Sequence, residues 1–357
     1  MEPEGSITYE LLREITDNFS EEQLLGQGAF GRVYRGVMKS GEEVAVKLLA
    51  SVDPGLDDKL FNHEFCNLIR LKHPNTVKFL GYCYDTRTEL VEFHGNLVTG
   101  EWTHRALCFE YLHNGSLDKY ICDESSGLDW NIRYSIIRGI CEGLKYLHQG
   151  EIPTFHLDLK PGNILLDTNM VPKLADFGLS RIFREKFPRI THNHYGTSGY
   201  IPPEYINQGL ISEKFDIFSL GVVMLKIVSG PRGYTKRAEI PPQEFIAHVQ
   251  EQWRERLETT FSGSLLEAYC IQIKTCTEIA LTSTHYDPDM RPRIHDIMDK
   301  LIKSEPLMPN LKMDPQGKVC KAKTSMQIFF SALFHSSATI SFCNRTLRCY
   351  SNYMICR

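Results

Sequence analysis

An α+β chain in two lobes is predicted, strand-rich first and helix-rich after. Two observations carry this. The runs "QLLGQGAFGRVYRGVM" and "EEVAVKLLA" near the start are β-type and punctuated by glycine, whereas from Ile132 onward apolar residues recur at helical spacing. No internal repeat is evident, and the alternation of strand and helix that builds βαβ sheets is missing.

In order along the chain, "TYELLREITDNF" (Thr8 to Phe19) sets Leu11, Leu12, Ile15 and Phe19 on one face, an amphipathic lead-in helix. The glycine-broken strands follow. "KLFNHEFCNLIRLK" returns to helical period with Phe61, Phe65, Leu68 and Ile69 apolar. After "HPNTVKFLGYCYD" the pattern is strand again. "TRTELVEFHGNLVTGEWTHR" reads as a long polar β-hairpin or a loop excursion before the apolar strand "ALCFEYL". Then come the helices "RYSIIRGICEGLKYLHQG", "KFDIFSLGVVMLKIVSG" and "LEAYCIQIKTCTEIALTST".

From Ser304 the character changes. "SEPLMPNLKMDPQGK" is linker-like, and "MQIFFSALFHSSATISFC" is apolar but interrupted by His335 and several serines. It approaches the minimum length of a membrane span and is too polar for one. The expected division is a lead-in over 1–19, a main domain over 20–303 (first lobe about 20–109, second about 113–303) and a poorly ordered tail over 304–357. A docked peptide or a membrane-inserting segment are the alternatives for the tail. Nothing in the sequence accounts for the gathering of Cys320, Cys343, Cys349 and Cys356 there.

The 357 residues are 42% hydrophobic and 24% charged, with a net charge of −4. That is ordinary for a soluble globular protein and lacks the basic excess of a nucleic-acid binder. The start, "MEPEGSITYE", has neither a secretory pattern nor, with Glu2, a myristoylation pattern. Eleven cysteines without paired metal spacing are expected as reduced thiols in a cytoplasmic protein. The sequons at Asn18, Asn114 and Asn344 are expected to be unmodified.

The chemistry lies in an ordered series. Gly26, Gly28 and Gly31 form G-x-G-x-x-G. Here it runs into a second strand and does not open a helix, so it suits a hairpin whose N–H groups approach phosphates. Alone, the motif could equally be an ordinary tight hairpin. Lys47 ends the apolar strand "VAVK" and can aim a charge at phosphates, with Glu64 on the next helix to fix it. In "FHLDLKPGNILLD", Asp158 can accept a hydroxyl proton, Lys160 can steady a transferring phosphoryl group and Asn163 can hold a metal ion. Asp176 of "ADFGLS" is a second metal ligand, and a hard ion such as Mg²⁺ suits this oxygen set.

These motifs resemble the signature set of eukaryotic protein kinases, over about residues 20–303. The resemblance implies the bilobal kinase fold. It also implies an ATP cleft formed by Leu25, Gly26, Gln27, Gly28, Ala29, Phe30, Gly31, Arg32, Val33, Ala45, Lys47 and Leu165. Phe109 is then the gatekeeper, with Glu110 and Leu112 offering backbone groups to adenine. "YGTSGYIPPEY" is similar to the peptide-binding loop and its glutamate, Glu204. Asp216 takes the structural position of the central helix, and Arg291 is the expected partner of Glu204. Lys160 and Thr197 resemble the Ser/Thr-directed enzymes. ATP, Mg²⁺ (or Mn²⁺), a protein substrate and an upstream receptor kinase are the implied cofactors and partners.

Within the superfamily, "LIRLKHPNTVKFLGYC", "FEYLHNGSLDKYI" and "GTSGYIPPEY" resemble plant receptor-like kinases. The chain is similar to a cytoplasmic form or a kinase portion, in the cytoplasm or at the inner face of the plasma membrane.

Leu157 departs from the pattern, because the family usually places there an arginine that pairs with a phosphate on the activation segment. Losing such a bond, worth roughly 1.5–3 kcal/mol, shifts an active population about 10–100-fold at most. Altered control is therefore expected more than lost chemistry, as in the non-RD kinases, which are associated with plant defence. Arg181, Arg184, Lys186 and Arg189, or Lys173, could serve a phosphate instead, with Ser180, Thr191, Thr197 and Ser198 as candidate phosphosites. A catalytically weak, ATP-binding scaffold is the alternative.

Overall fold

The computed structural model describes residues 5–28, 31–50, 54–93, 95–121, 128–182, 189–191, 196–305, 311–313 and 319–321. The Thr8 hydroxyl accepts from the Leu11 N–H and opens α1 (Tyr9–Ile15). The helix stops short of Phe19, because Asp17, Asn18 and Phe19 take left-handed backbone (φ 50°, 55° and 57°). Asp and Asn tolerate that region, and the Thr16 hydroxyl accepts from the Phe19 N–H across the break. Leu12 and Ile15 are buried with Val44, Val46, Cys83, Ala106 and Cys108, so the expected separate lead-in is part of the sheet's own core.

That sheet holds β1 (Leu24–Gly28), β2 (Gly31–Val37), β3 (Glu43–Leu49), β4 (Phe79–Phe93) and β5 (Asn96–Glu110), ordered β1-β2-β3-β5-β4 and antiparallel throughout. The ladder of β4 and β5 runs from Phe79↔Phe109, with an irregularity before Gly81↔Cys108, to Phe93↔Asn96, so the polar excursion is a hairpin. Between β3 and β4 lies α2 (Pro54–Leu68), with Phe61 and Leu68 buried. Ile69 follows the end of the helix and is 53% exposed, contrary to its expected place on the apolar face.

The second lobe opens with α3 (Asp118–Ile121) and α4 (Trp130–Gln149), the latter capped by the Asp129 carboxylate. Short strands follow: β6 (Thr154–Phe155), β7 (Ile164–Leu166), β8 (Pro172–Leu174), β9 (Arg181–Ile182) and β10 (Arg189–Ile190). Then come α5 (Pro203–Gln208), β11 (Leu210–Ile211), α6 (Glu213–Lys236), α7 (Pro242–Leu257), α8 (Gly263–Ser283) and α9 (Ile294–Lys303). Ile136, Ile140, Leu144, Val223, Ile273 and Ile297 are fully buried where α4, α6, α8 and α9 meet. Each such side chain stabilises by about 1.5–3 kcal/mol relative to exposure. The same cluster includes Phe61, Val77 and Leu107 of the first lobe, so one core spans the cleft.

Met1–Glu305 forms one unit and Pro306–Arg357 a second. In the second, β12 (Leu311–Met313) pairs antiparallel with β13 (Val319–Lys321). The apolar stretch 326–343 lies outside the described residues. No helix among the described residues is long and apolar enough to cross a membrane.

Candidate active site

The glycine motif forms the β1–β2 hairpin, with Gly28 opposite Gly31. Gly31 has φ +148°, and a Cβ there would lie 2.2 Å from the Leu48 carbonyl oxygen, so only glycine fits. Gly26 and Gly28 have nothing within 4 Å of a would-be Cβ, which leaves their backbone open to a close-lying ligand. Gln27 pairs with Arg32 across the hairpin, and Leu25 is exposed on the same strand. Ala29 and Phe30 lie outside the described residues. The Arg32 guanidinium is paired with Glu21.

Lys47 and Glu64, from β3 and α2, meet. The Lys47 ammonium donates to both Glu64 oxygens, at 2.8 and 2.9 Å, and to Asp176 Oδ1 at 2.9 Å. Burial opposes the Lys47 charge, but the two carboxylates overcome it and hold the group protonated. Burial likewise opposes the Asp176 charge, and Lys47 reverses this, so Asp176 sits below its ordinary value. The direct Lys47–Asp176 contact was not legible from spacing.

Asp158 is the centre of a second group. Its Oδ2 accepts from Lys160 Nζ at 2.8 Å and from Asn163 Nδ2 at 2.9 Å. Its Oδ1 accepts from the Thr197 hydroxyl at 2.7 Å, and Lys160 donates to that hydroxyl, also at 2.7 Å. Asn163 Nδ2 also donates to the Asp158 carbonyl, which directs the amide nitrogen away and leaves Oδ1 as the oxygen available to a cation. With the carboxylate of Asp176, this is an all-oxygen donor set of the kind a hard divalent ion takes. Among the described residues no cluster of three His, Cys, Asp or Glu offers a metal cage, so such an ion would complete its shell with oxygens from outside the chain, a phosphate or water.

The cleft wall is assembled from both lobes. Val33 stands opposite Lys47, and Ala45 opposite Phe109, in the sheet. The Phe109 ring lies edge-on to Phe79 at 5.9 Å. Glu110 and Leu112 follow at the lobe junction, with Leu112 buried, and Leu165 lies on β7.

Supporting residues lie behind. The Asp216 carboxylate accepts from the backbone N–H groups of His156 and Leu157, each at 2.8 Å, and contacts His148 Nε2 at 2.8 Å. Burial opposes its charge, yet these partners bring its pKa below the ordinary 3.8. Arg291 clamps Glu204 with both terminal nitrogens, at 2.6 and 2.7 Å. Asn67, three residues after Glu64, was missed from the sequence. Its amide donates to the carbonyls of Phe177 and Ser180 and ties α2 to the start of the activation segment.

Leu157 has φ +63° and is buried with Tyr205, Ile211 and Phe215. Two expectations about phosphate control fail on geometry. Lys173 pairs with Glu110 at 3.3 Å and donates to the Pro74 carbonyl, so it faces the lobe junction. Ser180 is fully buried, its hydroxyl donating to the His156 carbonyl, and is inaccessible to a modifying enzyme in this arrangement. Thr197 is held by Asp158 and Lys160, Thr191 is half-buried and Ser198 is exposed. Arg181 reaches His63 and its neighbouring carbonyls. Arg184 and Lys186 lie outside the described residues, and Arg189 is described only by its backbone pairing with Ile211.

Residues 19–302 match the family described as protein kinase domain. A G-type lectin S-receptor-like serine/threonine-protein kinase of Arabidopsis thaliana is 36% identical over 296 residues, covering 81% of this chain and 33% of the relative. Cysteine-rich receptor-like protein kinase 29 of the same plant is 37% identical over 295 residues, covering 80% and 41%. Cysteine-rich receptor-like protein kinase 26 is 34% identical over 340 residues, covering 92% and 46%. The chain thus spans between a third and a half of the length of these relatives.

Proposed function

The chain belongs to the protein kinase family, and from that premise we propose that it transfers the γ-phosphoryl group of ATP to serine or threonine hydroxyls of proteins. Its strand-rich and helix-rich lobes are those of the bilobal kinase fold, and protein kinase domains use ATP with a divalent metal ion. The observation that carries the reading is the convergence of Lys160, Asn163 and Thr197 on the Asp158 carboxylate.

In the proposed reaction, Asp158 orients the acceptor hydroxyl and takes its proton as the new O–P bond forms and the bond to the ADP oxygen breaks. Lys160 places a cation beside that carboxylate, suited to charge on the moving phosphoryl group. Lys47, held by Glu64, directs its ammonium at the phosphates. Asn163 Oδ1 and Asp176 would hold the ion, Mg²⁺ by the hardness of the oxygens. Bound there, the ion draws charge from the phosphate oxygens.

Leu157 supports control of the activation segment without the usual arginine–phosphate pair. The names of the relatives, receptor-like kinases, support a place in receptor signalling with an upstream receptor kinase as partner, and Leu157 makes defence the setting to examine.

The deciding experiment is γ-phosphoryl transfer from ATP with Mg²⁺ or Mn²⁺, by the wild type and Asp158→Asn, onto itself and onto a generic basic protein. Incorporation on Ser/Thr that the variant lowers by about 10²–10⁴-fold is the expected outcome. No incorporation, with nucleotide still bound, replaces this reading with an ATP-binding scaffold.

A further inference from the structure

Away from the cleft, Gly230 breaks α6 with φ 70° and ψ 176°. The last part of α6 lies beside α4 and α7 around a cavity of about 230 Å³. That is room for several waters, suited to a small molecule.

The lining includes Arg133, Lys236, His248, Gln252, Trp253 and Arg256, and no carboxylate among the described residues. Arg133 forms the floor and is 3% exposed. Its Nε donates to the Leu128 carbonyl at 2.7 Å and its Nη1 to the Ile227 carbonyl. Its Nη2 has no acceptor among the described residues. The guanidinium groups of Arg133 and Arg256 lie over one ring, Trp253, each 5.3 Å from the centroid. Burial and the Arg256 charge bring Arg133 down to about 10, and Asp129 offsets this only in part. Lys236 donates to His248 Nε2 at 3.2 Å.

Several cations gathered around one concavity repel each other unless an anion joins them. A guanidinium with a spare N–H at the floor needs an oxygen acceptor, and its rigid fork of donors matches a tetrahedral oxyanion. We propose that this cavity binds a small soluble molecule bearing a phosphate group, seated on Arg133 and held at the rim by Lys236 and Arg256. The site is separate from the nucleotide cleft, and its occupant braces α4, the turn of α6 and α7 against one another.

The test uses the whole chain with the cleft saturated by a non-hydrolysable ATP analogue, so that phosphate probes do not report on the cleft. Sodium pyrophosphate and inorganic phosphate are titrated by calorimetry at matched ionic strength into the wild type and into the double variant Lys236→Glu, Arg256→Glu. Both side chains are exposed, and an unchanged melting temperature in buffer confirms that the variant is folded. Saturable pyrophosphate binding, weakened about 10–100-fold or more in the variant, is the expected result. Absence of saturable binding by the wild type at millimolar probe, or equal binding by the variant, overturns the proposal. A phosphoserine peptide that binds where pyrophosphate does not also overturns it, in favour of a protein ligand.

Discussion

The Thr197 hydroxyl donates to Asp158 Oδ1 at 2.7 Å while accepting from Lys160 at the same distance. A residue of the loop proposed to bind the peptide thus fixes the carboxylate proposed as proton acceptor. Thr197→Ala removes a hydrogen bond to a charged group, worth about 1.5–3 kcal/mol, so kcat should fall about 10–100-fold. KM for ATP should barely move, and Thr197→Ser should restore most of the rate. Steady-state kinetics on one peptide substrate checks this. A rate unaffected by the alanine would show that the tether has no catalytic role.

Leu157 lies under the activation segment as part of an apolar cluster with Tyr205, Ile211 and Phe215. Leu157→Ala should lower unfolding free energy by about 2–5 kcal/mol, the range for a buried leucine. Denaturant titration measures the loss. Limited proteolysis should cut the segment around Ile190 earlier in the variant, because β10 pairs with β11 beside this cluster.

Arg291 is 2% exposed, and all its donor groups are engaged. Beyond Glu204, it reaches the carbonyls of Lys214, His285 and Tyr286. Arg291→Ala leaves a buried carboxylate unpaired and should cost about 3–5 kcal/mol. The double variant with Glu204→Gln should cost less than the sum of the singles, and a double-mutant cycle by urea unfolding reads that coupling.

Asp216 supplies a pH dependence of stability. Its folded pKa lies below the ordinary 3.8, so the unfolded chain takes up its proton first as pH falls. The stabilisation is complete above that value and is lost as pH falls through the lower folded one. Asp176, also lowered, acts in the same direction. Unfolding free energy measured between pH 6 and pH 3 should fall steeply at the acid end. Asp216→Asn should be less stable at pH 6 and show a shallower acid slope.

Most of the site could be read from the chain because its chemistry is laid out at fixed offsets. Asp158, Lys160 and Asn163 share one short loop, and Lys47 lies in a strand whose apolar pattern is plain, two residues short of its end. What escaped depends on contacts between distant segments. Lys173 was expected near the activation segment, but strand pairing on β8 turns it to Glu110. Ser180 resembles an accessible loop hydroxyl until the His156 carbonyl is found beside it. The lead-in was legible as an amphipathic helix, but its partner sheet was not, because Cys83 and Ala106 reach it only through tertiary packing. The basic cavity joins α4 to residues about a hundred positions later, and no local pattern announces it.

The β4–β5 hairpin outlasts the sheet that carries it. Pairing with β3 ends at Ala106, whereas the two strands continue together to Phe93 and Asn96. Beyond Arg87, which pairs with Glu10 of α1, the ribbon runs from the Thr88↔Glu101 pair to the tip over roughly 17 Å. Leu90 and Leu97 near that tip are 70% and 74% exposed, so nothing in the chain's own core depends on them. The distal ribbon is therefore a modular appendage. It can be shortened, lengthened or fused to a label there, and the cost is borne by the appendage while the cleft keeps its geometry.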